Sequence, residues 1–562
     1  MVKKMIQQYE LWCNKAVSDR DVFNELREMT GNCTAIEDAF YCDLTFGTGG
    51  LRGIIGAGTN RMNVYTVAKA SQGLANYIIK NFPVEHRRIA VSYDSRIKSD
   101  LFAKVSSGVF AANGIHVFIY PQLMPTPCLS FAVRALQCAS GIMITASHNP
   151  FRYNGYKVYG PDGCQITTIA AQSIQSEVEK LDIFEDPRQI SFEEGISSGK
   201  IQYVDEEVYT AFVEATKAQR VWSHHVKQDL SIVYSPLNGT GLKPVMRVLE
   251  ELGFSNITVV KQQEQPDGRF PTCPYPNPES EESMALGVKC AKERRADLLL
   301  ATDPDCDRVG VAVRDQGDYH LLSGNEIGIL LFDYICKCRI SNGTMPDRPV
   351  AVTTIVSSDM ADIIAAHYGV ELRRTLTGFK YIGEQIGQLE KNNEVERYIF
   401  GFEESYGYLS GIHVRDKDAV NASMLICEMA AYYKERKQTL KQAMQMLYIQ
   451  FGFYQNNLLS FSFEGVSGMH AMIEIMKRMR TDSLSHIAEY NVTYVKDYSQ
   501  GINDLPQADV LEFGLGNSGK VMIRPSGTEP KIKVYLCAYG ETAKQASERS
   551  DIITQAIKDI LK

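Results

Sequence analysis

Three stretches of this chain read alike, and they constrain its fold more than any other feature. Ile89-Ala-Val-Ser-Tyr-Asp-Ser-Arg96, Ser231-Ile-Val-Tyr-Ser-Pro-Leu-Asn-Gly-Thr240 and Val350-Ala-Val-Thr-Thr-Ile-Val-Ser-Ser-Asp359 each run from an apolar strand into a short polar loop. Helical patterns follow, for example over 242–252 and 360–367. A repeated α/β unit of this kind favours parallel sheets covered by helices, although three unrelated strand–helix units would read the same way. With 562 residues the chain has room for about four domains of ~150 residues. Its tail changes character: helix-like 465–479, a charged strand-like segment, Lys520-Val-Met-Ile523, a loop, and Ile532-Lys-Val-Tyr-Leu-Cys-Ala538. The expected class is α/β, with three similar α/β domains and a smaller α+β C-terminal domain. The expected boundaries are 1–208, 209–316, 317–450 and 451–562. Loops are expected over 262–283, rich in Pro, Glu and Asn, and over 341–349.

Composition narrows the function. At 44% hydrophobic and 22% charged residues, the chain suits a globular protein with a proper core. No run of eighteen apolar residues marks a membrane span, and residues 1–23 turn charged and helix-like too soon for a signal peptide. A net charge of −8 argues against nucleic acid as a partner, and membrane is equally unexpected. Thirteen cysteines, an odd number with no Cys-x-x-Cys pair, argue for reduced thiols rather than a disulfide framework or zinc site. A cytoplasmic location is expected.

Chemistry concentrates where strands end. In Gly141-Ile-Met-Ile-Thr-Ala-Ser-His-Asn-Pro150 an apolar strand stops at a polar turn, and Ser147 stands just past its end, where open α/β sheets place active groups. A serine hydroxyl needs a neighbour to take its proton or a cation to ease its charge; His148 and Lys157 are the candidates. Taken alone, the segment also fits an ordinary turn. In Leu298-Leu-Leu-Ala-Thr-Asp-Pro-Asp-Cys-Asp-Arg308 a strand meets three alternating carboxylates, Asp303, Asp305 and Asp307. Such carboxylates repel one another unless a hard cation lies between them, and magnesium, with its taste for oxygen ligands, suits them. Cys306 is filler, since magnesium avoids soft donors.

Val521-Met-Ile-Arg-Pro-Ser-Gly-Thr-Glu-Pro530 offers a guanidinium, two hydroxyls and a glycine-opened backbone, groups that match a phosphate dianion; a plain hairpin turn fits equally. Gly401-Phe-Glu-Glu-Ser-Tyr-Gly407 could hold sugar hydroxyls, though by itself it reads as an exposed acidic turn, and Arg415-Asp-Lys-Asp418 reads as a solvated charged face. Gly47-Thr-Gly-Gly-Leu-Arg-Gly53 lacks a dinucleotide fingerprint and a preceding strand, and is expected to carry Arg52 on a flexible loop. Leu376-Thr-Gly-Phe-Lys380 presents Lys380 behind a glycine.

Taken together these motifs resemble the α-D-phosphohexomutase family, in the family's order and over nearly the whole chain. Thr145-Ala-Ser-His-Asn-Pro150 resembles its phosphoserine loop, Asp303-Pro-Asp-Cys-Asp-Arg308 its magnesium loop, Gly401-Phe-Glu-Glu-Ser405 its sugar loop and Arg524-Pro-Ser-Gly-Thr528 its phosphate loop. Pro304 and Cys306 depart from the glycines usual at those two places. The resemblance implies four domains around a central cleft, the last a mobile lid. It implies that Ser147 carries the phosphoryl group, with His148, Lys157 and Arg52 assisting, and that Mg²⁺ is held by Asp303, Asp305, Asp307 and the Ser147 group. It further implies substrate contacts at Arg308, Gly378, Lys380, Glu403, Ser405, Arg415, Lys417, Arg524, Ser526, Gly527 and Thr528. The implied reaction is isomerisation of glucose 1-phosphate and glucose 6-phosphate, with glucose 1,6-bisphosphate as intermediate and activator. The partners are then small sugar phosphates, and the protein a monomer or weak homodimer. A phosphomannomutase, a phosphopentomutase and a phosphoserine-dependent sugar phosphatase are the alternatives; the second phosphate loop counts against the last.

Overall fold

The computed structural model describes residues 2–47, 50–222, 230–463, 465–482, 484–502, 505–525 and 531–561. The chain forms two compact units: one comprises 1–321, 383–395 and 407–431, the other 322–382, 396–406 and 432–562. The third α/β region read from the sequence is thus shared between them.

The first unit contains two sheets. One has six strands in the order Gly50–Ile54, Tyr153–Tyr159, Ser140–Ile144, Arg88–Tyr93, His116–Ile119 and Ile201–Tyr203. Its last four strands are parallel and its first two antiparallel. Ser140–Ile144 is buried along its whole length, as expected for a strand with helices on both faces. Val67, Leu74 and Ile78 from the helix Val64–Asn81, with Phe102, Val109 and Phe110 from Ser99–Ala112, fill that core. The other sheet runs Asp318–Leu322, Val309–Asp315, Leu298–Thr302, Ile232–Ser235, Ile257–Val259. The helix expected over 242–252 is Leu242–Glu251.

In the second unit Val350–Thr354 lies between Glu371–Thr375 and Tyr398–Glu403, parallel to both, and the helix expected over 360–367 is Met360–Tyr368. The tail is an antiparallel sheet of five strands, with Lys531–Gly540 paired to both Phe453–Ser462 and Gly519–Pro525. The fold is therefore three α/β sheets of repeated plan and a different α+β tail.

A first local expectation fails here. Arg52 lies in a strand, Gly50–Ile54, with Arg52 opposite Gly155 on Tyr153–Tyr159. Gly50 is there for close approach: a Cβ on it would stand 2.0 Å from the Tyr156 carbonyl oxygen.

Candidate active site

The strand Ser140–Ile144 delivers Ser147 with its backbone in the left-handed region, φ +51°, which costs a non-glycine residue roughly 1–2 kcal/mol. The surroundings hold it there. The Thr145 hydroxyl accepts from the Ser147 N–H at 2.8 Å. The Arg96 guanidinium donates to the carbonyls of Ser147 and Asn149 at 2.5 Å, and to those of Pro150 and Tyr153 at 3.0 Å. Asp94 in turn accepts from the hydroxyls of Thr145 (2.6 Å) and Ser99 (2.8 Å) and from the Arg96 N–H. Burial pulls the Arg96 guanidinium down to about 10, against the opposing pull of Asp94, so it remains charged at neutral pH. The sequence reading missed this frame, although Asp94 and Arg96 end the first copy of its repeat.

Ser147 Oγ donates to Asp303 Oδ2 at 2.9 Å and lies 3.5 Å from His148 Nδ1. Burial, then the positive charges of Arg308 and Arg52, push the imidazole well below its usual range, so His148 is neutral. Arg52 donates to the Asn149 side chain at 2.8 Å, which ties the edge strand to the same loop.

The loop after Leu298–Thr302 brings Asp303, Asp305 and Asp307 together, all buried, with oxygens within 4.8 Å of one another. At that spacing each pair of like charges repels by about 3 to 4 kcal/mol at an effective dielectric near 20. Lys157 offsets part of this, with Nζ 2.7 Å from Asp305 Oδ2 and 3.2 Å from Asp307 Oδ2; Lys417 lies 3.2 Å from Asp307 Oδ2. Lys417 is shared with Asp416 and Arg308 with Glu279, so five carboxylates face three cations. Burial, then Asp305 and Asp307, push Asp303 well above the carboxylate range. Burial acts the same way on Asp307, but Lys157, Lys417 and Arg308 outweigh it and hold that carboxyl below its ordinary value. Burial would lower the Lys157 ammonium, but Asp305 and Asp307 raise it overall.

The donor set fits a hard divalent cation. Asp305 Oδ1 and Asp307 Oδ1 are buried and without a hydrogen-bond partner, which is costly unless something absent from the protein's own groups binds them. The three carboxylates can hold a metal. Cys306 between the ligands is fully buried and takes the left-handed conformation, φ +52°, that a glycine would take there. Arg415 and Lys417, read from sequence as a charged surface, are buried. The Arg415 guanidinium lies 3.1 Å from Glu390 and donates to the Ile412 and Val414 carbonyls; Lys417 instead reaches Asp307 of the metal loop.

The second unit carries another polar cluster. Glu403, at the end of Tyr398–Glu403, is buried and accepts from the Gly378 N–H at 2.8 Å. Gly378, at φ +120°, is in a conformation that favours glycine. Glu404 accepts from the Thr354 hydroxyl at 2.9 Å; burial, then the Glu403 charge, push its carboxyl up to about 7. Lys380 lies in the first turn of the helix Phe379–Lys391, 5.0 Å from the Tyr381 ring centre, and Ser405 is partly buried in the turn after Glu403. Arg524, at the end of Gly519–Pro525, donates to the Thr377 hydroxyl. Ser526, Gly527 and Thr528 lie outside the described residues.

The chain matches all four domain models of one family: phosphoglucomutase/phosphomannomutase α/β/α domain I over 43–183, domain II over 208–317, domain III over 323–451 and the C-terminal domain over 489–555. It belongs to the phosphoglucomutase/phosphomannomutase family, and is an enzyme of the phosphohexomutase class. It is 36% identical over 541 residues to a phosphoglucomutase of Staphylococcus aureus, covering 94% of this chain and 95% of that one. It is 34% identical over 559 residues to one of Staphylococcus epidermidis, covering 96% and 98%. The fold is also that of the crystal structure of parafusin, a phosphoglucomutase from Paramecium, with a TM-score of 0.68, 18% identity and coverage of 92% and 96%.

Proposed function

We propose that this enzyme interconverts glucose 1-phosphate and glucose 6-phosphate through a phosphoserine at Ser147, with glucose 1,6-bisphosphate as the intermediate. The observation that carries this reading is a buried serine held in a left-handed turn with its hydroxyl on one member of a buried aspartate trio. The phospho-Ser147 group passes to the free hydroxyl of a sugar monophosphate; the bisphosphate reorients and returns its other phosphoryl group to Ser147. Such transfers run through a loose transition state with charge on the equatorial oxygens, so positioning and electrostatics supply most of the catalysis.

In this reading Asp303, Asp305, Asp307 and the Ser147 group hold Mg²⁺, which when bound neutralises charge on the phosphoryl oxygens. Arg96 fixes the loop that aims Ser147. His148 assists at the Ser147 hydroxyl, 3.5 Å away, while Lys157 and Arg52 keep positive charge beside it. Glu403 and Ser405 read the sugar's hydroxyls. The Arg524 side chain, with Ser526, Gly527 and Thr528, binds the phosphate that is not transferred, and Arg308, Gly378, Lys380, Arg415 and Lys417 complete the substrate contacts. The Arg415 guanidinium is held by Glu390 and two carbonyls. Domain boundaries near 208, 316 and 450 are supported by the matched ranges. Among the described residues no disulfide forms, which suits the cytoplasm, and no helix is long and apolar enough to cross a membrane.

The test compares kcat/KM for glucose 1-phosphate, mannose 1-phosphate and ribose 1-phosphate, with free phosphate followed in parallel. Glucose is expected first and phosphate release slow. A preference for ribose or mannose would reassign the sugar, and phosphate outrunning isomerisation would make the enzyme a phosphatase.

A further inference from the structure

We infer that Thr126 is a positioning residue for the metal site: it fixes the plane of the Asp305 carboxylate so that Oδ1, and not Oδ2, is presented to the cation. The inference rests on the reading of the aspartate trio as a metal site. Thr126 opens the helix Thr126–Ala135, is fully buried, and grips Asp305 twice. Its hydroxyl donates to Asp305 Oδ2 at 2.8 Å and its backbone N–H to the Asp305 carbonyl at 2.9 Å.

The need for such a grip follows from what else touches Asp305. Lys157 also pairs with Oδ2, at 2.7 Å, but it is a point charge on a flexible stem and is shared with Asp307 at 3.2 Å. A carboxylate can swing either oxygen toward an ammonium at little cost. Thr126 removes that freedom. Threonine is stiff at χ1, and its backbone is fixed at the head of a ten-residue helix that has no side-chain cap of its own and carries a proline in its first turn. The segment leading into the helix is fixed as well: the Ser92 hydroxyl donates to the Met124 carbonyl at 2.9 Å, and the Met124 N–H to the Tyr93 carbonyl at 3.1 Å. With two donors on Oδ2, the unpartnered Oδ1 is the oxygen left for the metal. Groups that orient metal ligands in this way are typically worth 10–100-fold in affinity or activity.

The test is calorimetric titration of the full-length enzyme with Mg²⁺, in wild type, Thr126→Val, Thr126→Ala and Thr126→Ser, with melting in excess chelator as the check on folding. Valine removes the hydroxyl at nearly constant shape, alanine does so without any possible clash, and serine keeps it. Mg²⁺ affinity is expected to fall about 10-fold or more in the valine and alanine variants and to recover in the serine variant, with the chelator melts close to wild type. Turnover in the two weakened variants should recover as Mg²⁺ is raised. Wild-type Mg²⁺ affinity in either hydroxyl-free variant that melts like wild type overturns the inference. If both melt low, an equal loss of Mg²⁺ affinity in Thr126→Ser overturns it too. Failure of the wild-type enzyme to bind Mg²⁺ would overturn the metal reading itself.

Discussion

Arg96 spends both terminal nitrogens of its guanidinium on backbone, four carbonyls over residues 147–153, with Asp94 Oδ2 3.4 Å from its Nε and the Phe270 ring 5.1 Å away. Removing a partner from a buried, hydrogen-bonded charge pair typically costs about 3–5 kcal/mol. Arg96→Met should therefore lower unfolding free energy by about 3 kcal/mol in urea titration, and cut turnover further than stability alone explains, because Ser147 is then free to leave φ +51°. A change below about 1 kcal/mol would show that the loop holds itself. Ser147 should be partly phosphorylated in the isolated protein, detectable by peptide mapping, and Ser147→Ala should lose turnover by at least ~10³-fold; normal turnover would end the phosphoserine reading. The serine and the aspartates were legible in the sequence because their chemistry needs particular residue types close together. Thr126 and Arg96 were not. Their partners are carbonyls and carboxylates 51 to 179 positions away, and a buried threonine in an apolar helix leaves no periodic mark.

Whole elements show the same division. The strands before Ser147 and Asp303 were legible because they are continuously apolar, whereas Gly50–Ile54 was hidden by its glycines. The metal loop keeps a glycine's conformation at Cys306 without having the glycine. Cys306→Gly exchanges relief of left-handed strain, roughly 1–2 kcal/mol, for loss of a buried side chain of similar worth, so its stability should stay within about 1 kcal/mol of wild type. Cys306→Val, whose branched Cβ tolerates φ +52° poorly, should lose about 2 kcal/mol or more; chemical denaturation of both decides the point, and equal effects would refute the strain argument. In the second unit, Glu404 has a folded pKa of about 7 against an ordinary 4.5. The folded chain thus holds a proton that the unfolded chain has released. The stabilisation is complete below about pH 4.5 and is lost as pH rises toward 7. Glu404→Gln should flatten that part of the stability–pH profile; an unchanged slope would assign it to other groups.

At the scale of the molecule, the repeat and the altered tail were legible, but the threading was not. The first unit is completed by segments from beyond residue 382, a property no local pattern encodes. Those segments bring Asp416, which accepts from the Tyr159 hydroxyl at 2.8 Å, and Glu428, which accepts from the N–H groups of Val221 and Trp222. A fragment ending at 321 should therefore unfold at lower urea than the full chain and expose more surface to protease. A fragment as resistant as the intact enzyme would mean that the returning segments are dispensable. The same threading sets an order of events during synthesis. Asp307 leaves the ribosome 110 residues before Lys417, its partner at 3.2 Å, and at 5–20 residues per second that interval lasts about 5–20 s. Through that interval the nascent trio has one lysine instead of two, and cross-linking of stalled chains longer and shorter than residue 431 should find Ser147 docked on Asp303 only in the longer set.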